Sequence, residues 1–148
     1  MNVKHQLQKI KLIISDVDGV LTDGTVLKGG GNMELKRFCV QDGTAVAMVK
    51  AAGFDLAFIS GRYSEATEIR MKELKISDVY NGILNKLVPY EKLKQKYKLK
   101  DDEIAYIGDD LIDIPVMEKV GLPAAVQNAY PDVKEKAVFV TKTRGGEG

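Results

Sequence analysis

Ile10-Lys-Leu-Ile-Ile-Ser-Asp16-Val17-Asp18-Gly19-Val20 is the stretch on which the fold turns. A short apolar run ending in Ser and Asp predicts a buried strand that carries functional groups at its C-terminal end. The shape recurs in Phe54-Asp-Leu-Ala-Phe-Ile-Ser60, which meets Gly61, and in Ile104-Ala-Tyr-Ile-Gly108, which meets Asp109. Each of these two is followed by a segment of helical periodicity, so the chain reads as a series of βα units. Helices are expected at about 43–52, 64–74, 88–97, 110–120 and 132–136, and two further short strands at 122–126 and 138–140. Alternating strands and helices imply a parallel sheet covered on both faces, a small doubly wound α/β domain with right-handed crossovers. Ligands bind such sheets beyond the carboxyl ends of the strands, where Asp16, Ser60 and Asp109 converge.

Between Val20 and Val40 the pattern changes. Thr25-Val-Leu and Glu34-Leu-Lys-Arg-Phe flank a glycine-rich turn at 29–32, which predicts a β-hairpin flap at about 22–38. A flap of that size is too small to be a cap domain.

Composition narrows the function classes. The chain has 148 residues, 22 Lys+Arg against 21 Asp+Glu and a formal charge of +1. At roughly 150 residues per domain, one domain spanning 1–148 is expected. Hydrophobic residues at 45% and charged residues at 29% describe a globular chain, not a disordered or fibrous one. The near-neutral balance offers no electrostatic case for nucleic acid or anionic lipid as a partner. Cys39 is the only cysteine, so neither an intrachain disulfide nor a CxxC pair exists. The start of the chain lacks a signal-peptide apolar core, and no run of about 18 apolar residues occurs. A soluble cytoplasmic protein with no membrane partner is the expectation.

Four constellations carry chemistry. Asp16 and Asp18 stand two residues apart where a strand ends, and a turn at Gly19 lets both face one cleft, which suits a divalent cation plus a nucleophile. DxDG also fits an Asx-type turn, and the pentapeptide alone leaves both readings open. In Gly108-Asp109-Asp110-Leu111-Ile112-Asp113, Asp109 and Asp113 share one face of a helix start and Asp110 lies near its N-terminus. N-capping explains one of these acids; three beside a second acidic pair point to a hard-metal site. Ser60-Gly61-Arg62, with Arg70 eight residues on, offers a hydroxyl and amides at a strand-to-helix turn that can hold phosphate oxygens. Lys86 alone would be a solvated lysine, but beside acids and a metal it can neutralise a transferring phosphoryl group.

DVDGV, ISGR, an isolated lysine before a helix and GDDLID, in that order, resemble the four motifs of the haloacid-dehalogenase superfamily of phosphotransferases over about 10–143. Phe38-Cys-Val-Gln-Asp-Gly43 and the stretch from Gly108 to Gly121 resemble, within it, the capless 3-deoxy-D-manno-octulosonate 8-phosphate phosphatases of lipopolysaccharide sugar synthesis. The resemblance implies a Mg²⁺-dependent phosphomonoesterase working through an aspartyl-phosphate on Asp16. It implies Asp18 as acid and base, with its carbonyl, Asp16 and Asp109 as metal ligands and Asp110 and Asp113 in support. Ser60, Gly61 and Lys86 would bind phosphoryl oxygens; Asp18, Asp42, Gly43, Arg62 and Arg70 would recognise a phosphorylated sugar acid. Thr44 and Ala47 stand where family members often have an aromatic residue and an arginine, which leaves a nine-carbon acid 9-phosphate or a broader range of sugar phosphates as alternatives. The family also implies a homotetramer in which the flap makes intersubunit contacts, and because so little is inserted between the motifs to close the cleft against water, neighbouring subunits are expected to cap it. From another class, a phosphoacceptor signalling domain shares the acids and the lysine but places its acceptor Asp on a later strand.

Overall fold

The structure, a computed structural model, describes residues 3–148. Six strands form one parallel sheet in the order β5-β4-β1-β6-β7-β8. They are β1 (Leu12–Ser15), β4 (Asp55–Ser60), β5 (Asp78–Asn81), β6 (Ile104–Gly108), β7 (Leu122–Ala125) and β8 (Phe139–Val140). The two remaining strands, β2 (Leu27–Lys28) and β3 (Glu34–Leu35), make a separate antiparallel hairpin pairing Leu27 with Leu35 and Lys28 with Glu34. This is the doubly wound α/β architecture with its hairpin flap.

The helices are α1 (Val3–Leu7), α2 (Val40–Ala51), α3 (Glu65–Glu73), α4 (Leu87–Tyr97), α5 (Ile114–Met117) and α6 (Pro131–Lys136). Leu12 and Ile14 on β1 pack in one cluster with Tyr90 and Leu93 of α4, Val116 and Met117 of α5 and Val133 of α6. Phe58 of β4 joins Val46 of α2 and Met71 of α3 in a second cluster. Both faces are therefore covered, which is why the strands read as near-continuous apolar runs instead of alternating ones.

β1 is the pivot. Leu12 pairs with Asp55 on one side and Ile104 on the other, so the chain winds outward from β1 through β4 and β5, then crosses back to β6, β7 and β8. The winding direction reverses beside β1, and a crevice opens at the carboxyl ends there.

Two expectations are corrected, and two elements are added. Helix α2 starts at Val40 and not near residue 43, because Cys39 is already the extended N-cap residue; Gly43 lies inside the helix, where a side chain would crowd Arg70 Nη2. The helix expected at 110–120 is instead a 3-10 turn at Leu111–Asp113, capped by Asp110, followed by the single turn of α5 with Pro115 in it. Strand β5 and helix α1 were not anticipated. β5 is a four-residue edge strand whose Asp78 is buried beneath Lys96 and Tyr97, so its sequence lacks an apolar run.

Candidate active site

The first acidic pair sits on a tightly wound loop. The Asp16 N–H still donates to the Ile107 carbonyl at 2.9 Å, continuing the β1–β6 ladder, after which the Val17 carbonyl accepts from the N–H groups of Val20, Leu21 and Thr22. Gly19 has φ +91°, and a Cβ there would overlap the Asp109 carboxylate. Only glycine meets both demands, a left-handed backbone and close approach. The Thr22 hydroxyl oxygen accepts from the N–H groups of Gly19 and Gly24 and fixes the loop from behind.

Lys86 lies at the centre of the second layer. Its side chain is fully buried, with Nζ 2.6 Å from Asp113 Oδ1 and 3.0 Å from Asp16 Oδ1. Burial opposes its charge, but Asp16 and Asp113 outweigh that and push its pKa above the ordinary lysine range. The same Asp113 Oδ1 accepts from the Tyr106 hydroxyl at 2.6 Å, and Asp113 Oδ2 accepts the N–H groups of Asp109 and Asp110 at 2.9 and 3.0 Å. Asp113 thus has four donors on its two oxygens, about all that a carboxylate can accept. It orients Lys86 and clamps the loop that carries Asp109.

Three acidic side chains, Asp16, Asp109 and Asp113, place carboxylate oxygens within 4.8 Å of one another. Burial, with a further push from Asp113 and against the pull of Lys86, raises the Asp16 pKa to about 7. Burial, then the charges of Asp16, Asp113 and Asp110, raises that of Asp109 to about 8. Asp109 Oδ1 is buried with no hydrogen-bond partner, and Asp16 Oδ2 makes no hydrogen bond among the described residues. Hard oxygen donors held close together at an energetic cost fit a hard divalent cation. With Asp113 saturated, Asp16 and Asp109 are the side chains that would hold it.

The remaining expected residues fall into two groups. Beside the cleft, Asp18 Oδ1 lies 2.6 Å from Nζ of Lys36, whose side chain is fully buried. The Ser60 hydroxyl donates to the Arg62 carbonyl at 2.9 Å, and a Cβ on Gly61 would come 3.8 Å from the Lys86 side chain. Arg62 is held by Glu34 of the hairpin through both guanidinium nitrogens, and Lys28 adds a second cation to that carboxylate. Hydrogen bonds from these groups hold the Glu34 pKa well below the ordinary range. In the second group, Arg70 donates to the Cys39 carbonyl and Glu73 and lies over the Phe38 ring, next to Asp42 and Gly43. Burial raises the Asp42 pKa. No hydrogen bond or ion pair links Asp42 or Arg70 to Asp16, Lys86 or Asp109 among the described residues.

A family model described as haloacid dehalogenase-like hydrolase matches residues 59–148, which contain the Ser60, Lys86 and Asp109 layers of this cluster. The chain belongs to that family. Its relatives include the 3-deoxy-D-manno-octulosonate 8-phosphate phosphatase of Escherichia coli K12, 43% identical over 147 residues, 99% of this chain and 78% of the relative. A crystal structure of the Yersinia pestis phosphatase of the same name superposes with a TM-score of 0.94 at 42% identity, covering 97% of this chain and 78% of that one. The Moraxella catarrhalis phosphatase, solved in complex with magnesium, phosphate and KDO, superposes at 0.93 with 35% identity, covering 97% and 83%.

Within this hydrolase fold, three neighbours of the site escaped the sequence. Glu34 lies in the short strand β3 and Lys36 directly after it, where charges look solvated, and Tyr106 belongs to an apolar strand run. The alternation of Glu34-Leu-Lys-Arg-Phe indicates which side chains share a face but not that the face is covered. No helix of the described residues is long and apolar enough to cross a membrane.

Proposed function

We propose that this chain is a Mg²⁺-dependent phosphomonoesterase for 3-deoxy-D-manno-octulosonate 8-phosphate. The observation that carries the mechanism is the buried arrangement in which Val17 N–H and Lys86 hold Asp16 Oδ1, 2.6 and 3.0 Å away, leaving Oδ2 without a hydrogen bond. Oδ2 is the oxygen that attacks phosphorus. As the O–P bond to Asp16 forms and the bond from phosphorus to the sugar oxygen breaks, Asp18 gives its proton to that oxygen. Asp18 then takes a proton from water, which attacks the aspartyl-phosphate and frees Asp16 and phosphate.

Lys86 stays charged throughout and offsets the negative charge on the phosphoryl oxygens. The Ser60 hydroxyl and the amides at Gly61 line the same end of β4 and supply donors. Asp16, the Asp18 carbonyl and Asp109 would hold Mg²⁺, with Asp110 and Asp113 behind them. When bound, the cation supplies Lewis acidity at a phosphoryl oxygen and compensates the clustered acids.

For the sugar acid, Arg62 already grips a carboxylate, that of Glu34, in a bidentate manner suited to exchange for a substrate carboxylate. Asp42, Gly43 and Arg70, grouped where α2 meets α3, would shape the approach to the cleft. Leu27, Met33 and Leu35 of the hairpin and Ile69 of α3 are all more than half exposed. Apolar side chains at such density suit contacts between subunits. We therefore place the neighbouring subunits of a homotetramer over the cleft as its cap. Sedimentation velocity should give a tetramer, and a fully active monomer would refute the capping.

The decisive experiment is phosphate release from a panel of phosphorylated sugars. Octulosonate 8-phosphate should be turned over at least about tenfold more efficiently than hexose phosphates or the nine-carbon 9-phosphate, a difference of about 1.4 kcal/mol. EDTA should abolish the activity and Mg²⁺ restore it. Equal turnover of hexose phosphates would remove the specific assignment, and activity in EDTA would remove the metal.

A further inference from the structure

We infer that Lys36, carried at the end of the hairpin and outside the motif that holds Asp18, is the positioning residue for the acid Asp18. This rests on the assignment of Asp18 proposed above.

A lysine side chain without solvent exposure is rare unless its charge is paired. Lys36 has two partners, Asp18 Oδ1 at 2.6 Å and the buried Thr67 hydroxyl of α3 at 3.0 Å. The three groups come from three separate parts of the chain: the loop after β1, the end of the hairpin and α3. Thr67 fixes the ammonium from one side, so Lys36 is a rigid anchor rather than a mobile surface cation.

The carboxylate is held asymmetrically. Asp18 Oδ1 is buried against Lys36, while the Asp18 side chain as a whole keeps 23% of its exposure. With Oδ1 buried at the ion pair, Oδ2 is the oxygen left to hand a proton to the leaving oxygen. Misplacing an acid by about 1 Å can lower a rate by about 10²-fold. The chain has few other means of holding Asp18: its side chain makes this one ion pair and no hydrogen bond among the described residues. Lys36 touches no reacting atom in this arrangement. It acts through Asp18.

The consequence is selective for leaving groups. When the Asp16–phosphorus bond forms and the phosphorus–oxygen bond breaks, a sugar alkoxide needs the Asp18 proton. A p-nitrophenolate departs without one. In single-turnover experiments with enzyme in excess, Lys36→Met should slow sugar release from octulosonate 8-phosphate by about 10- to 100-fold. Nitrophenolate release from p-nitrophenyl phosphate should change by less than about threefold, and Lys36→Arg should recover part of the lost sugar rate. Asp18→Asn serves as the reference and should show the same selectivity with a larger loss.

Equal slowing of both substrates by Lys36→Met, or no slowing of either, overturns the role of Lys36 while leaving that of Asp18 intact. If Asp18→Asn itself spares the sugar substrate, the acid assignment falls and the Lys36 proposal falls with it. Should Lys36→Met fail to fold, Lys36→Arg and Lys36→Gln carry the same comparison of substrates, and a leaving-group-independent loss in the folded variant is equally fatal.

Discussion

Asp16→Asn should lower phosphate release by about 10⁴-fold or more, because it removes the attacking oxygen while preserving the shape of the site. The amide oxygen can still accept from Val17 N–H and from Lys86, so the loop and the lysine keep their places. Stability should move the other way. The Asp16 pKa is about 7 in the fold against an ordinary 3.8, and burial is the main cause. A carboxyl with a raised native pKa is compatible with the fold when protonated and opposes it when ionised. Its penalty is absent below about pH 4, grows as pH rises, and is complete above about pH 7. In metal-free protein, Asp16→Asn should therefore melt at a higher temperature than the parent at pH 8, with the difference shrinking toward zero near pH 4. Saturating Mg²⁺ should narrow the gap by stabilising the parent alone. A variant that keeps a tenth of the parent activity would remove Asp16 as the nucleophile.

Lys86→Met should be damaging on both counts. Methionine matches the length of the lysine but leaves Asp113, fully buried, and Asp16, nearly so, without their cation. Removing one partner from a buried ion pair typically costs about 3–5 kcal/mol. At low pH part of that loss is avoided, because Asp16 can take up a proton. Activity should fall by about 10²- to 10³-fold through the lost stabilisation of phosphoryl charge. Chemical unfolding at pH 8 and pH 5 together with steady-state kinetics would check both; an unchanged midpoint at pH 8 would contradict the network.

Much of this was legible because chemistry and fold coincide at strand ends. Polar residues that close an apolar run, as Asp16, Ser60 and Asp109 do, mark both the strand boundary and the mouth of the cleft. Lys86 gained meaning only from its companions, and in the fold it lies buried between two of them, Asp16 and Asp113.

What stayed hidden depends on contacts between distant segments. Lys36 and Lys28 lie in the same hairpin, yet the side chain of one is sealed beneath Asp18 and that of the other is largely exposed. Glu34 likewise occupies the guanidinium of Arg62, although the two are unrelated in sequence. Strand β5 escaped because an edge strand needs apolar residues on only part of its surface. Asp110 and Asp113 are spaced for a helix, but the backbone uses their oxygens to close a 3-10 turn, which a spacing of three or four residues does not distinguish.

The central position of β1 also governs when the site can exist. On one side its partner is β4, which emerges soon afterwards; on the other it is β6, delivered only after α4 has been made. Nascent chain ending before Ile104 would therefore display Asp16 and Asp18 on a sheet with one unpaired central edge, lacking Asp109, Tyr106 and the Asp113 clamp. Because parallel pairings distant in sequence are slow to close, insertion of β6 is the expected late step of folding. Catalytic competence should then appear with the last phase of refolding, and not with the early gain of helix.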